Sequence, residues 1–142
     1  MADSSAIDNA LVTKLGSDSA LLTLCPNGAY MDEAPAGMTS FVIVSLADQA
    51  DAQKFGGRAF EDALYQVEAR IRSDVATANA IARAAEVRIE ALLEDQPLTV
   101  SGYAWMTTHR ESRIRLVEVD DADTSIRWYR RGGNYRLLMS PV

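Results

Sequence analysis

Residues 60–93 read FEDALYQVEARIRSDVATANAIARAAEVRIEALL, and within them the hydrophobic period changes once, from two to 3.6. Ala63, Tyr65, Val67, Ala69 and Ile71 alternate with Leu64, Gln66, Glu68, Arg70 and Arg72. That alternation places one apolar set on a single face of a half-buried strand. Ser73-Asp74 then offers an N-cap, and Ala78, Ile81, Ala82, Ala85, Ile89 and Leu92 recur at helical spacing through Val75–Leu93. A strand feeding an alanine-rich helix, with more strands after it, predicts an α+β fold. The expected architecture is a single domain over residues 1–142: a mostly antiparallel sheet, one long helix packed on a face, and a short N-terminal helix.

Working outward towards the N-terminus, Ser4 and Ser5 precede an amphipathic pattern of Ile7, Ala10, Leu11 and Leu15, with Gly16 where a C′ residue belongs. Ser17 or Asp18 opens a second short turn through Leu22, and Pro26-Asn27-Gly28 ends it. Tyr30-Met31 reads as a brief strand, and Phe41–Leu46 as an apolar, buried one. The polar stretch ADQADAQKFGGR, residues 47–58, is expected to be a loop of about a dozen residues, long for a hairpin and able to project from the sheet. Phe55 near its tip has two readings: an exposed docking contact, or a ring folded back onto the sheet.

Towards the C-terminus, Asp95-Gln96-Pro97 stops the helix and Leu98–Val100 reads as extended chain. Tyr103–Thr108 and Arg113–Val119 form a strand interrupted at Arg110-Glu111-Ser112, as a bulge would interrupt it. Asp120–Asp123 is a turn. Ser125–Arg131 and Tyr135–Ser140 are strands or parts of one, with Gly132-Gly133-Asn134 between them as a turn or bulge signal.

The 142 residues are 48% hydrophobic and 24% charged, a balance that excludes disorder for most of the length. No apolar run approaches the ~18 residues that span a bilayer, so no membrane partner is expected. The first ten residues carry neither a basic n-region nor an apolar h-region, so no secretory leader is expected. A lone cysteine, Cys25, excludes an internal disulfide, and its neighbours Leu24 and Pro26 favour a structural thiol over a reactive one. The net charge of −6 argues against nucleic acid as a bound partner.

That charge is uneven. Arg110, Arg113, Arg115, Arg127, Arg130, Arg131 and Arg136 crowd one segment, whereas residues 1–62 are acidic, with only Lys14, Lys54 and Arg58 as basic counterweights. Two readings stand: solvated strand edges, or acidic and arginine-rich faces that meet across copies of the same chain.

The residues give no reaction. His109 has no carboxylate or thiolate partners at ligand spacing, and a cross-face hydrogen bond to Glu111 is its expected use. Asp120, Asp121 and Asp123 lack the glycine and the closing glutamate of a calcium loop. Gly56-Gly57 and Gly132-Gly133 are not followed by Lys-Ser/Thr, and Ser101-Gly102 lacks the flanks of a nucleophile elbow. Tyr103, Trp105, Trp128 and Tyr129 sit at core-like spacing, as sheet core or subunit contacts. No catalytic residue, metal or cofactor is expected.

The order of segments resembles the tail terminator, or tail completion, proteins of long-tailed bacteriophages and gene transfer agents. The resemblance spans nearly the whole chain: DNALVTKLGSDSALLTL, then AYMDEAP and FVIVSL, then ALYQVEARIRSDVATANAIARAAEVRIEALL, and finally WYRRGGNYRLLMSP. The insertion around Lys54-Phe55-Gly56-Gly57 departs from it. The resemblance implies a virion protein, assembled in the host cytoplasm, that forms a ring of six copies on the last ring of the tail tube. Such a ring ends tube growth and joins the tail to the head-side connector or stopper, and genome DNA passes through its lumen without specific binding. Its interfaces are expected at Lys54, Phe55 and Arg58 on the 48–58 loop and at Arg113, Arg115, Arg130 and Arg131. The alternatives are another neck component, a head-completion or stopper protein, and a small soluble enzyme or ligand-binding domain.

Overall fold

Every residue of the alternating apolar set of the opening stretch is buried, and the sheet is built around it. Ala63, Tyr65, Val67, Ala69 and Ile71 are each at most 1% exposed, whereas Asp62, Leu64, Gln66, Arg70 and Arg72 stay half-buried. The computed structural model describes residues 4–54 and 57–142, with side chains described outside 51–59. The elements run α1 (Ser5–Gly16), α2 (Ser19–Leu24), β1 (Ala29–Met31), β2 (Ser40–Lys54), β3 (Gly57–Arg72), α3 (Ala78–Leu93), β4 (Tyr103–Val119) and β5 (Arg127–Pro141). The strands form one sheet in the order β1-β2-β3-β5-β4, antiparallel throughout except for the parallel β1–β2 pair. The fold is α+β, as the periodicity predicts.

All three helices lie on the face that carries the apolar set. α3 turns Ala78, Ala82, Ala85, Ile89 and Leu93 onto the sheet, and the alanines let the helix approach closely. α1 adds Ile7, Leu11 and Leu15, and α2 adds Leu21, completing one core with Val42, Val44, Leu137 and Met139. Burying a side chain such as Ile89 contributes about 1.5–3 kcal/mol.

Three expectations change in the structure. Residues 47–54 and 57–58 are strand and not loop: β2 and β3 continue through them as a long hairpin, paired out to Lys54↔Gly57, with bulges after Leu46 and Ala52. Small and polar residues such as Ala47, Asp48, Gln49 and Ala50 hide a strand, because they carry no hydrophobic period. Secondly, the long helix begins at Ala78 with Thr77 as N-cap, not at Ser73-Asp74. Those two residues are tied elsewhere: Arg72 donates to Asp74 through Nε (2.7 Å) and Nη2 (2.8 Å), and the Arg127 N–H donates to Ser73 Oγ at 2.9 Å.

Thirdly, Gly132-Gly133-Asn134 makes no turn, because β5 runs unbroken through it. The glycines are there for close approach: a Cβ on Gly132 would lie 2.0 Å from the Val67 carbonyl oxygen, and one on Gly133 2.8 Å from Arg110 Cδ. Leu98 and Val100 are buried in a segment without strand pairing, and the chain regains strand structure at Tyr103. The expected bulge in β4 is present, between Arg110 and Ser112, with a second between Trp105 and Thr107.

Candidate interaction surface

The sheet has two unlike faces, and the second has no helix on it. Register places Asp62, Leu64, Gln66, Glu68, Arg70 and Arg72 of β3 beside Leu138, Arg136, Asn134, Gly132, Arg130 and Trp128 of β5. Their outer neighbours are Phe41, Ile43 and Ser45 on β2 and His109, Ser112, Ile114, Leu116 and Glu118 on β4. The face is therefore a ladder of charges with an apolar corner. At that corner the rings of Phe41 and Trp128 meet edge-on, with centroids 5.7 Å apart.

The ladder is paired internally. Glu68 is wholly buried beneath two guanidinium groups: Arg130 Nη2 reaches its Oε1 at 2.7 Å, and Arg70 Nε donates to the same oxygen at 2.9 Å. Arg130 Nη1 also donates to Glu118 at 2.7 Å. Further along, Arg136 bridges Asp62 and Glu111. Those two bonds hold its guanidinium pKa above the ordinary value, and the Arg136 contact holds the Glu111 carboxyl below its own. Glu111 thus accepts its hydrogen bonds from Arg136, with His109 adding only a smaller electrostatic effect.

On the helix-covered face a second set of charges joins β4 to α3. Arg115 donates to both oxygens of Glu86, through Nε at 3.0 Å and Nη2 at 3.1 Å, and Arg113 Nη1 stands 3.9 Å from Glu86. The Arg110 N–H donates to Glu94 at 2.6 Å, and its guanidinium lies 2.8 Å from Glu90. Glu86, Glu90 and Glu94 recur every four residues, so one stripe of α3 faces one stripe of β4.

Of the residues expected at interfaces, Arg113, Arg115 and Arg130 are thus bound within their own chain. Arg131 lies opposite Arg115 and Ala69, half-buried, with no partner among the described residues. Lys54 and Arg58 flank the hairpin end; their side chains, and Phe55 entirely, lie outside the described residues. The acidic partners Glu68 and Glu86 were not singled out from sequence. Glu68 belongs to the polar set of a strand and Glu86 lies on a helix, and only tertiary pairing buries them.

The edges of the sheet are the remaining open features. β4 is an edge strand of 17 residues. From Glu111 to Val119 every residue but Ile114 is exposed, including Leu116 (43%), Val117 (57%) and Val119 (46%). On the opposite side β1 covers only Val42–Val44 of β2, leaving Leu46 (41% exposed), Ala47, Asp48 and Ala50 exposed.

Other candidates lose their chemistry in the structure. Cys25 is 1% exposed, and burial pushes its thiol up to about 12, so it is held as a neutral thiol. Asp120 accepts the Ala122 and Asp123 N–H groups and the Trp128 indole N–H (2.9 Å), so this carboxylate is spent closing its own turn.

No family model matches the chain, and no curated protein matches it. Among solved structures, a second chain at 11% identity shares the fold with a TM-score of 0.59 over 96% of both chains. The fold of the present chain is also similar to that of a chain in the virion of a native gene transfer agent particle, at 21% identity and a TM-score of 0.66 over 96% of each.

Proposed function

We propose that this chain is a structural component of a tailed virion, of the phage or gene transfer agent kind, and within it the tail terminator. In this reading six copies form a ring on the last ring of the tail tube. The ring ends polymerisation and presents the surface that the head-side connector or stopper joins. The observation that carries the reading is the likeness over 96% of both chains to a component of a gene transfer agent virion. Two features of the molecule support it. A sheet with two open edges is suited to repeat around a ring. An uncovered face whose arginines Arg70, Arg130 and Arg136 are each held by carboxylates offers little free positive charge to phosphates, as a wall passed by DNA requires. The protein acts in the virion, after assembly in the host cytoplasm, and not as an enzyme.

Electron microscopy of particles made with and without the chain tests this. Overlong, headless tubes in its absence are the expected result. Tails of normal length beside leaking or tailless heads would move the protein to the head side of the neck, as a completion or stopper protein. Unchanged particles would overturn the structural reading.

A further inference from the structure

The two open edges of the sheet fit each other. β4 is an edge strand whose backbone is engaged by Asp95 and Glu94 at Thr108 and Arg110, but its Glu111–Val119 half is largely exposed, with three large apolar side chains on it. A long, exposed, partly apolar edge is a template for another strand, and monomeric proteins blunt such edges. β4 has bulges at Met106 and Glu111, but from Ser112 to Val119 its register is regular. The other edge is β2 beyond β1, from Leu46 towards the hairpin end, again with an exposed leucine.

Strand direction and the exposed apolar side chains both agree with a junction between copies. β2 runs antiparallel to β3, β3 to β5 and β5 to β4, so β4 runs antiparallel to β2. A second copy that continued the sheet past β4 would therefore present its own β2 in antiparallel order, the stronger pairing geometry. Leu46, in register with Tyr65, and Val117, in register with Tyr129 and through it Ile71, both lie on the helix-covered side, so the exposed apolar groups of the two edges share one face.

We propose that the free edge of β4, Ser112–Val119, pairs antiparallel with the free edge of β2, residues 46–50, of a second copy of this chain. The contact is heterologous, since it joins two different edges, and it repeats from copy to copy until it closes. All the helices then lie on one side of the continued sheet and the charge ladder on the other. The inference rests on the ring reading above only for the closure; the edge pairing itself is a property of the isolated chain.

The test is sedimentation of the purified chain up to its solubility limit, combined with hydrogen–deuterium exchange on the same samples. The expected result is a concentration-dependent oligomer in which amides of 112–119 and 46–50 slow together. Two variants, Leu116→Pro and Val117→Pro, separate assembly from folding. Successive strand residues point their N–H groups to opposite sides, so one of the two leaves the β4–β5 ladder intact. Whichever variant keeps the circular dichroism and melting of the parent is expected to associate at least about tenfold more weakly. If both unfold, Leu46→Lys, at an exposed position of the β2 edge, serves instead and should weaken association similarly. A chain that stays monomeric at every concentration would overturn the proposal, and so would an oligomer whose protection falls on α3 with the edges still exchanging. Particle microscopy reads the virion role separately: overlong tubes in the deletion with no edge protection would remove this inference and leave that role standing.

Discussion

Gly132 shows how much a single residue decides here. It sits on β5 opposite Glu68, so close that a Cβ would fall 2.0 Å from the Val67 carbonyl oxygen and 2.6 Å from the Glu68 Cα, both backbone atoms that cannot step aside. Gly132→Ala is expected to force β3 and β5 apart and to lower stability by about 1–3 kcal/mol or more, as overpacking does. Thermal melting checks it; an unchanged melting temperature would mean that the strands have room to spare. Cys25 gives the opposite kind of prediction. With the thiol 1% exposed and its pKa at about 12, a maleimide reagent at neutral pH should leave it unmodified in the folded protein and label it in denaturant. Labelling of the native chain at the rate of a free thiol would show that the α2 end opens readily.

At the scale of elements, one side-chain cap decides where α2 begins. Asp18 accepts the Leu21 N–H at 2.9 Å and takes a forked contact from Arg88 of α3, Nε at 2.8 Å and Nη2 at 2.6 Å, so one carboxylate both starts α2 and ties it to α3. The Arg88 contact, with the Leu21 bond, lowers the Asp18 pKa from 3.8 to about 2 against the opposing effect of burial. A carboxyl whose folded pKa is depressed adds stability above its unfolded pKa and loses it as the pH falls. The Asp18 contribution should therefore be complete above pH 3.8 and vanish on acidification through about pH 2. Asp18→Asn keeps a capping oxygen and should flatten that part of an acid unfolding profile; Asp18→Ala should cost about 1 kcal/mol at neutral pH as well.

α3 starts less comfortably. Thr77, exposed and β-branched, holds φ at +56° as its N-cap with no side-chain capping bond. Thr77→Gly should relieve that strain and raise stability by about 1 kcal/mol in a denaturant melt. A loss would show that the threonine has a role its own geometry does not reveal.

For the molecule as a whole, the arginine-rich segment separates into residues that hold the fold and one left over. Arg130 lies over the wholly buried Glu68, so Arg130→Glu would set two carboxylates together and should destabilise by about 3–5 kcal/mol, whatever becomes of assembly. Arg131 has no partner among the described residues, so Arg131→Glu should leave the melting temperature within a degree or so of the parent and act, if at all, on association. Equal losses of stability in the two variants would refute this division of roles. The sequence by itself determined the fold class, the β3 strand and its buried face, and the position of the long helix, because period-two and period-3.6 burial leave their mark on every residue of an element. It also determined the bulge in β4 and the absence of a recognisable catalytic motif. The tertiary structure alone decided that 47–54 and 57–58 continue as a hairpin, that Gly132-Gly133 lies inside a strand, and that the arginines meet Glu68, Glu86, Asp62 and Glu111 of their own chain. The arginine pairs join residues 25 to 74 positions apart in sequence, such as Arg136 with Glu111 and Asp62, and the glycines answer to how near two backbones come. Local pattern carries no record of either quantity.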